Sequence, residues 1–226
     1  AGLGIPRLVA RIMVAHGIAS IEEGQLFLTP SLDRDWADPL VIPGMSVVAD
    51  RVEHAIRNRE RIAVFGDFDV DGITSTCLLT EALRTFGADV TPFIPHRLDE
   101  GYGLSRAALD RVNELAQPNL IVTVDNGIAA KDEVSYLESL GIDLVVTDHH
   151  EPSDQVPQGV PLTDPKLEDE GPSRELAGAG VALKLVQVLG ERLGKPSYWR
   201  SLIEVAALGT VSDMMPLTAE NRALVA

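Results

Sequence analysis

From Arg61 onward, short apolar runs of strand length alternate with amphipathic stretches of helical length. Strand candidates fall at 62–65, 89–94 (broken at Pro92), 120–124, 143–146 and, briefly, 160–163. Between and after them the helical period predicts helices over 74–86, 105–116 with Ser105 as N-cap, 131–140, 181–193 and 199–208. Strands alternating with helices at this spacing imply an α/β fold, a parallel sheet with helices on both faces. Residues 1 to about 60 read as helical instead. Ile5, Leu8, Val9, Ile12 and Met13 keep helical spacing, as do Val47, Val48, Val52 and Ile56, and Pro30, Pro39 and Pro43 break the chain between them around Trp36, an expected anchor. The expected division is a helical segment over 1–46 that packs without chemistry, then a catalytic-type domain over 47–226.

Composition removes several classes of function. A hydrophobic content of 45% with 23% charged residues is globular, not disordered. No run approaches the ~18–20 apolar residues of a membrane span, and no basic-then-apolar leader opens the sequence. Cys77 is the one cysteine, so there is no disulfide framework and a reducing, cytoplasmic setting is expected, with Cys77 itself a small buried side chain. With 34 acidic against 19 basic residues the formal net charge is −15, which argues against a nucleic-acid partner. Carboxylates holding divalent cations would reverse that argument locally.

Ligands of open parallel sheets bind beyond the carboxyl ends of the strands, so the residues just past each strand carry weight. After 62–65 comes Gly66-Asp67-Phe68-Asp69-Val70-Asp71-Gly72; after 120–124, Asp125-Asn126-Gly127; after 143–146, Thr147-Asp148-His149-His150. Carboxylates gathered on one rim repel one another unless cations sit among them. The first run matches half an EF-hand loop, but Leu78 stands where a bidentate Glu belongs, and the run comes after a strand, not a helix. A strand followed by Asp-x-Asp also fits an aspartyl-nucleophile phosphatase, with Asp71 an unusual residue for that class. Alone, Asp125 reads as a turn or cap residue, and His149-His150 as a cap and a packed ring. Taken together, imidazole plus carboxylates suits Mn²⁺, Zn²⁺ or Fe²⁺, and the oxygen ligands admit Mg²⁺. Four or more carboxylates favour two ions, ~3.5–4 Å apart, clamping a phosphoryl centre.

The ordered set Asp67-Phe-Asp-Val-Asp-Gly, Asp125-Asn-Gly and Asp148-His-His resembles the DHH phosphoesterases. Three further stretches resemble that family's 5′→3′ single-strand-DNA exonuclease branch. They are residues 95–103 (Pro-His-Arg-Leu-Asp-Glu-Gly-Tyr-Gly), the Gly178-Ala-Gly-Val181 turn and residues 208–217, with Glu220-Asn-Arg222 beyond. The resemblance implies metal ligands at Asp69, Asp71, Asp125 (bridging), His149 and Asp213, and Asp67 orienting a ligand or water. It implies His150 facing the substrate phosphate and a phosphate-contacting pair at His96 and Arg97. Tyr102, a loop aromatic between Gly101 and Gly103, reads from its own context either as stacking on a base or as a lid hinge or local anchor. It implies two divalent cations, Mn²⁺ first and Mg²⁺ second, a single-stranded DNA substrate with a free 5′ end, and a single-strand-binding protein and a helicase as partners. Such enzymes carry a second, C-terminal domain and an oligonucleotide-binding fold, so the sequence reads as a fragment. Two other readings stay open: a small-molecule phosphoesterase on the same scaffold, acting on pyrophosphate, oligoribonucleotides or cyclic dinucleotides, and an inactive scaffold for replication partners.

Overall fold

A computed structural model describes residues 2–97, 100 and 103–226. Three N-terminal helices, α1 (Arg7–Ala15), α2 (Ile21–Leu28) and α3 (Leu32–Asp35), precede α4 (Met45–Arg57). The chain then alternates as β1 (Arg61–Phe65), α5 (Val70–Thr85), β2 (Asp89–Phe93), α6 (Arg106–Ala116), β3 (Leu120–Val124), α7 (Lys131–Ser139) and β4 (Asp143–Thr147). A two-residue β5 (Leu162–Thr163) leads to α8 (Gly178–Arg192), α9 (Ile203–Ser212) and α10 (Ala219–Val225). The strands form one wholly parallel sheet in the order β2-β1-β3-β4-β5. This is the expected α/β architecture.

Side chains alternate across the pleat, so each strand serves two cores. Ile62, Val64, Leu120, Val122, Val124 and Val145 pack with α4, α5 and α8. Ala63, Phe65, Ile121, Leu144 and Val146 face α6 and α7 on the opposite side. Helix α4 lies within the first core through Met45, Val48, Ala49, Val52, Ala55 and Ile56. Among the described residues no helix is long and apolar enough to cross a membrane.

Several local expectations need correction. Helix α5 starts at Val70, not at 74, because Asp69 caps it by accepting the Gly72 amide at 2.9 Å. Pro92 does not break β2: the strand lies at the sheet edge, where a missing N–H is tolerated, and Pro92 stays in register with Val64. Helix α8 opens at Gly178, three residues early, and the helix expected over 199–208 divides into a 3₁₀ turn, Tyr198–Leu202, and α9. Cys77 is exposed, not buried, because it shares the outer stripe of α5 with Val70, Ile73 and Glu81 while Leu78, Leu79, Ala82 and Leu83 take the core. In α1 only Met13 is buried; Leu8, Val9 and Ile12 face outward. Trp36 is an anchor as expected: its ring stacks on Trp199 at 5.9 Å and its indole N–H donates to Gln187 at 2.9 Å.

Candidate metal centre

The carboxyl ends of β1, β3 and β4 are adjacent in the sheet, so the three acidic motifs emerge side by side. Asp67 follows β1 fully buried, with Oδ1 accepting the Phe68 amide at 2.7 Å. Asp69 is exposed at the N-cap of α5. Asp71 turns inward in the first turn of that helix, where its two oxygens accept the amides of Gly178 (2.7 Å) and Ala179 (2.9 Å). Those are orphan N–H groups at the start of α8, so a helix N-terminus steadies the carboxylate. Asp125 follows β3 at φ 60, a left-handed conformation that Asp tolerates better than most residues. That backbone twist aims its side chain across the strand ends.

His149 links these groups. Its Nε2 lies 3.0 Å from Asp125 Oδ1 and 3.7 Å from both Asp71 Oδ2 and Asp213 Oδ2. Three overlapping clusters have donor atoms within 4.8 Å of one another: Asp71/His149/Asp213, Asp125/His149/His150 and Asp67/Asp69/Asp125. Asp125 and His149 each belong to two of them. Asp213 comes from the C-cap of α9, which packs against α5, and its side chain remains partly exposed.

The electrostatics of this centre favour a bound cation. Burial, followed by the charges of Asp71, Asp69 and Asp148, pushes the Asp125 carboxyl up to about 10. Burial likewise raises Asp71, against the pull of His149 and of its two backbone hydrogen bonds. Among the described residues no lysine or arginine forms an ion pair with Asp69, Asp71, Asp125 or Asp213. Asp125 Oδ2 is buried without a hydrogen-bond partner, which a hard or borderline dication would satisfy. The donor set therefore fits divalent ions.

Asp148 has a different task, to which its sequence context gave no separate role. Burial opposes its charge, but hydrogen bonding to His150, the charge of that ring and the Ile128 amide hold its carboxyl below the usual range. Oδ1 meets His150 Nδ1 at 2.7 Å and accepts the His149 amide at 2.7 Å. In return Asp148 lifts the His150 imidazole to about 9, and that ring stays half-exposed beside His149, 4.5 Å between centroids. Its place as the first letter of an Asp-His-His run was the available signal.

His96 and Arg97 follow β2, both exposed. The Arg97 guanidinium sits 4.8 Å over the ring of Phe68, between Asp67 and Asp69, so Arg97 reaches the same rim. The His96 backbone amide donates to Glu100 at 2.6 Å, and the His96 ring is in none of the three clusters. Tyr102 lies outside the described residues.

Comparison with known proteins finds relatives solved with bound manganese. The single-stranded-DNA-specific exonuclease RecJ of Bacillus subtilis is 40% identical over 221 residues, covering 97% of this chain and 27% of the relative. A solved structure of exonuclease RecJ bound to manganese is 41% identical with a TM-score of 0.75, covering 81% of this chain and 46% of that one. RecJ of Thermus thermophilus in complex with Mn²⁺ is 34% identical with a TM-score of 0.73, covering 97% and 33%. This chain thus spans between about a quarter and a half of the length of these relatives. The model of the DHH family N-terminal domain matches residues 61–210, the whole stretch from β1 into α9 that carries the three strand-end motifs, and the chain belongs to the DHH family.

Proposed function

We propose that this chain is a metal-dependent phosphodiesterase that removes nucleotides from single-stranded DNA, starting at a free 5′ end. The observation that carries this reading is the convergence of Asp69, Asp71, Asp125, His149 and Asp213 on one rim, with Asp125 and His149 shared between clusters. On this reading Asp71, His149 and Asp213 would hold one divalent cation, Asp69 would help to hold a second, and Asp125 would supply a further carboxylate to the same centre. Relatives solved with Mn²⁺ and with Mg²⁺ support those two ions, manganese first. Bound there, the cations supply an activated water and neutralise charge at the scissile phosphate.

The chain's own side chains do the positioning. Asp67, buried against Asp69 and Asp125, orients a ligand or water. His150, held protonated at neutral pH by Asp148, donates from its exposed edge to a non-bridging phosphate oxygen as charge builds there. Arg97, braced on Phe68, offers a planar fork to the same or the adjoining phosphate, with His96 beside it. For Tyr102 a base-stacking role is proposed from its sequence context alone, an aromatic between Gly101 and Gly103. Digestion polarity, a cytoplasmic role in repair and recombination, and cooperation with a single-strand-binding protein and a helicase rest on the family resemblance.

The test titrates Mn²⁺ into the chain and then digests 5′-phosphorylated single strands beside duplex DNA and inorganic pyrophosphate. Mononucleotides are expected from single strands alone, only with metal present, and not from Asp125→Ala. Preferential cleavage of pyrophosphate overturns the substrate assignment, and near-normal turnover by Asp125→Ala overturns the site.

A further inference from the structure

Beyond β4 the chain returns through β5, whose last residue, Thr163, accepts the Asp148 amide at 3.1 Å. The next residue, Asp164, therefore leaves the sheet beside Asp148 and His149. It is completely buried. One of its oxygens, Oδ1, accepts the Lys166 amide at 2.7 Å and caps the 3₁₀ turn Pro165–Leu167. The other, Oδ2, has no hydrogen-bond partner in the protein. A cap needs only one acceptor, which serine supplies as well as aspartate. A second carboxylate oxygen shut away from water is costly and calls for a donor.

His149 has the complementary need. Nε2 faces Asp125, Asp71 and Asp213, so it is the atom turned toward the candidate cations. Nδ1 must then carry the ring proton, yet it too is buried without a partner. Ligating imidazoles generally give that second N–H to a carboxylate, a carbonyl or a water, which fixes tautomer and ring orientation. Asp164 and His149 also feel each other electrostatically: burial lifts the Asp164 carboxyl to about 7, Asp148 adds to the rise, and His149 opposes it.

Resting on the metal-dependent reading above, we propose that Asp164 is a positioning residue, its Oδ2 accepting the His149 Nδ1 proton directly or through one water and so reserving Nε2 for the cation. Asp164 itself touches neither cation nor substrate.

Asp164→Ser keeps the cap and removes the second oxygen. Mn²⁺ affinity, read by calorimetry without DNA, is expected to fall about 10- to 100-fold in Asp164→Ser. Asp164→Asn, whose amide oxygen can still accept, retains most of the affinity. The metal-free protein provides an independent readout through ¹⁵N shifts of His149: one Nδ1–H tautomer in the wild type and a mixture in Asp164→Ser. Wild-type affinity together with a wild-type tautomer in Asp164→Ser overturns the inference. Should that variant fail to fold, an Nε2–H tautomer in the wild type overturns it alone. A wild-type chain that binds no Mn²⁺ sinks the metal-dependent reading instead, and the tautomer still decides Asp164.

Discussion

Asp125 shows the conflict between stability and function on a single side chain. Its carboxyl is buried among other carboxylates and pushed up to about 10, so without metal its negative charge opposes folding. Asn tolerates the same left-handed backbone and carries no charge. Asp125→Asn is therefore expected to raise the melting temperature of the metal-free protein above wild type while abolishing any further rise on adding Mn²⁺, both read in one thermal-shift series. Two glycines guard the same residues by their lack of a side chain. A Cβ at Gly178 would stand 2.6 Å from Asp125 Cβ, and one at Gly209 would stand 2.5 Å from both Asp71 Oδ1 and Thr74 Oγ1. Gly209→Ala is expected to cost about 1–3 kcal/mol by chemical denaturation, the usual scale of overpacking, and to weaken Mn²⁺ binding by displacing Asp71.

Helix α8 is held at its start and along its length. Its first amides grip Asp71, and midway along it Lys184 is fully buried. Lys184 Nζ donates to Glu220 and to the Ala37 carbonyl, and lies 3.8 Å from the centre of the Trp36 ring. Glu220 completes the knot by accepting the Ala37 amide at 2.7 Å and the Ser173 hydroxyl at 2.6 Å. One ion pair thereby joins the N-terminal segment, the loop before α8, α8 and α10. Removing one partner strands the other charge in the interior. Lys184→Met and Glu220→Gln are each expected to cost about 3–5 kcal/mol, with the double variant losing clearly less than the sum. Additive losses in a double-mutant cycle would show that the pair is not coupled. Because α10 follows Asp213 by only a short loop, both single variants are also expected to weaken metal binding.

Over the whole molecule, stability should depend on pH in a way that metal reverses. Asp125, Asp164 and His150 all have carboxyl or imidazole groups raised in the folded state, to about 10, 7 and 9. A raised group binds more protons folded than unfolded, so its contribution is complete below its unfolded pKa and fades as pH climbs through the folded value. The metal-free protein is thus expected to lose stability steadily from about pH 6.5 to 8, the lower bound being the ordinary histidine value. Lys184, lowered to about 8 by burial, takes no part in that loss: above about pH 8 its folded form sheds a proton that the unfolded chain keeps up to the ordinary lysine value of 10.5, so its contribution rises with pH there. Its contribution therefore runs opposite in sign to the three raised groups. Divalent cations bind the deprotonated ligands, so saturating Mn²⁺ should raise the melting temperature and flatten or invert the slope. A metal-free protein whose stability rises across the same interval would contradict the assigned shifts.

Much of this molecule is local in origin and so readable from residue order. Strand and helix periods are properties of a few neighbouring side chains, and strands that alternate with helices must pair in parallel, which brings residues 66–72, 125–127 and 147–150 to one rim. The motif letters then supplied the family. Contacts made at a distance were not readable, because they depend on how closely packed elements approach. No local pattern reveals that the first amides of α8 hold Asp71, that Asp164 is buried within electrostatic reach of His149, or that Lys184 meets Glu220 beneath Trp36. Nor does periodicity say which apolar stripe finds a partner: Leu8, Val9 and Ile12 repeat as regularly as the stripe of α4, yet only α4 has a sheet to cover. Residue order determined which chemistry is present and on which edge it gathers. Tertiary packing alone decided which oxygens remain to be satisfied by a cation, because burial and mutual distance, not identity, set the electrostatic demand of a carboxylate.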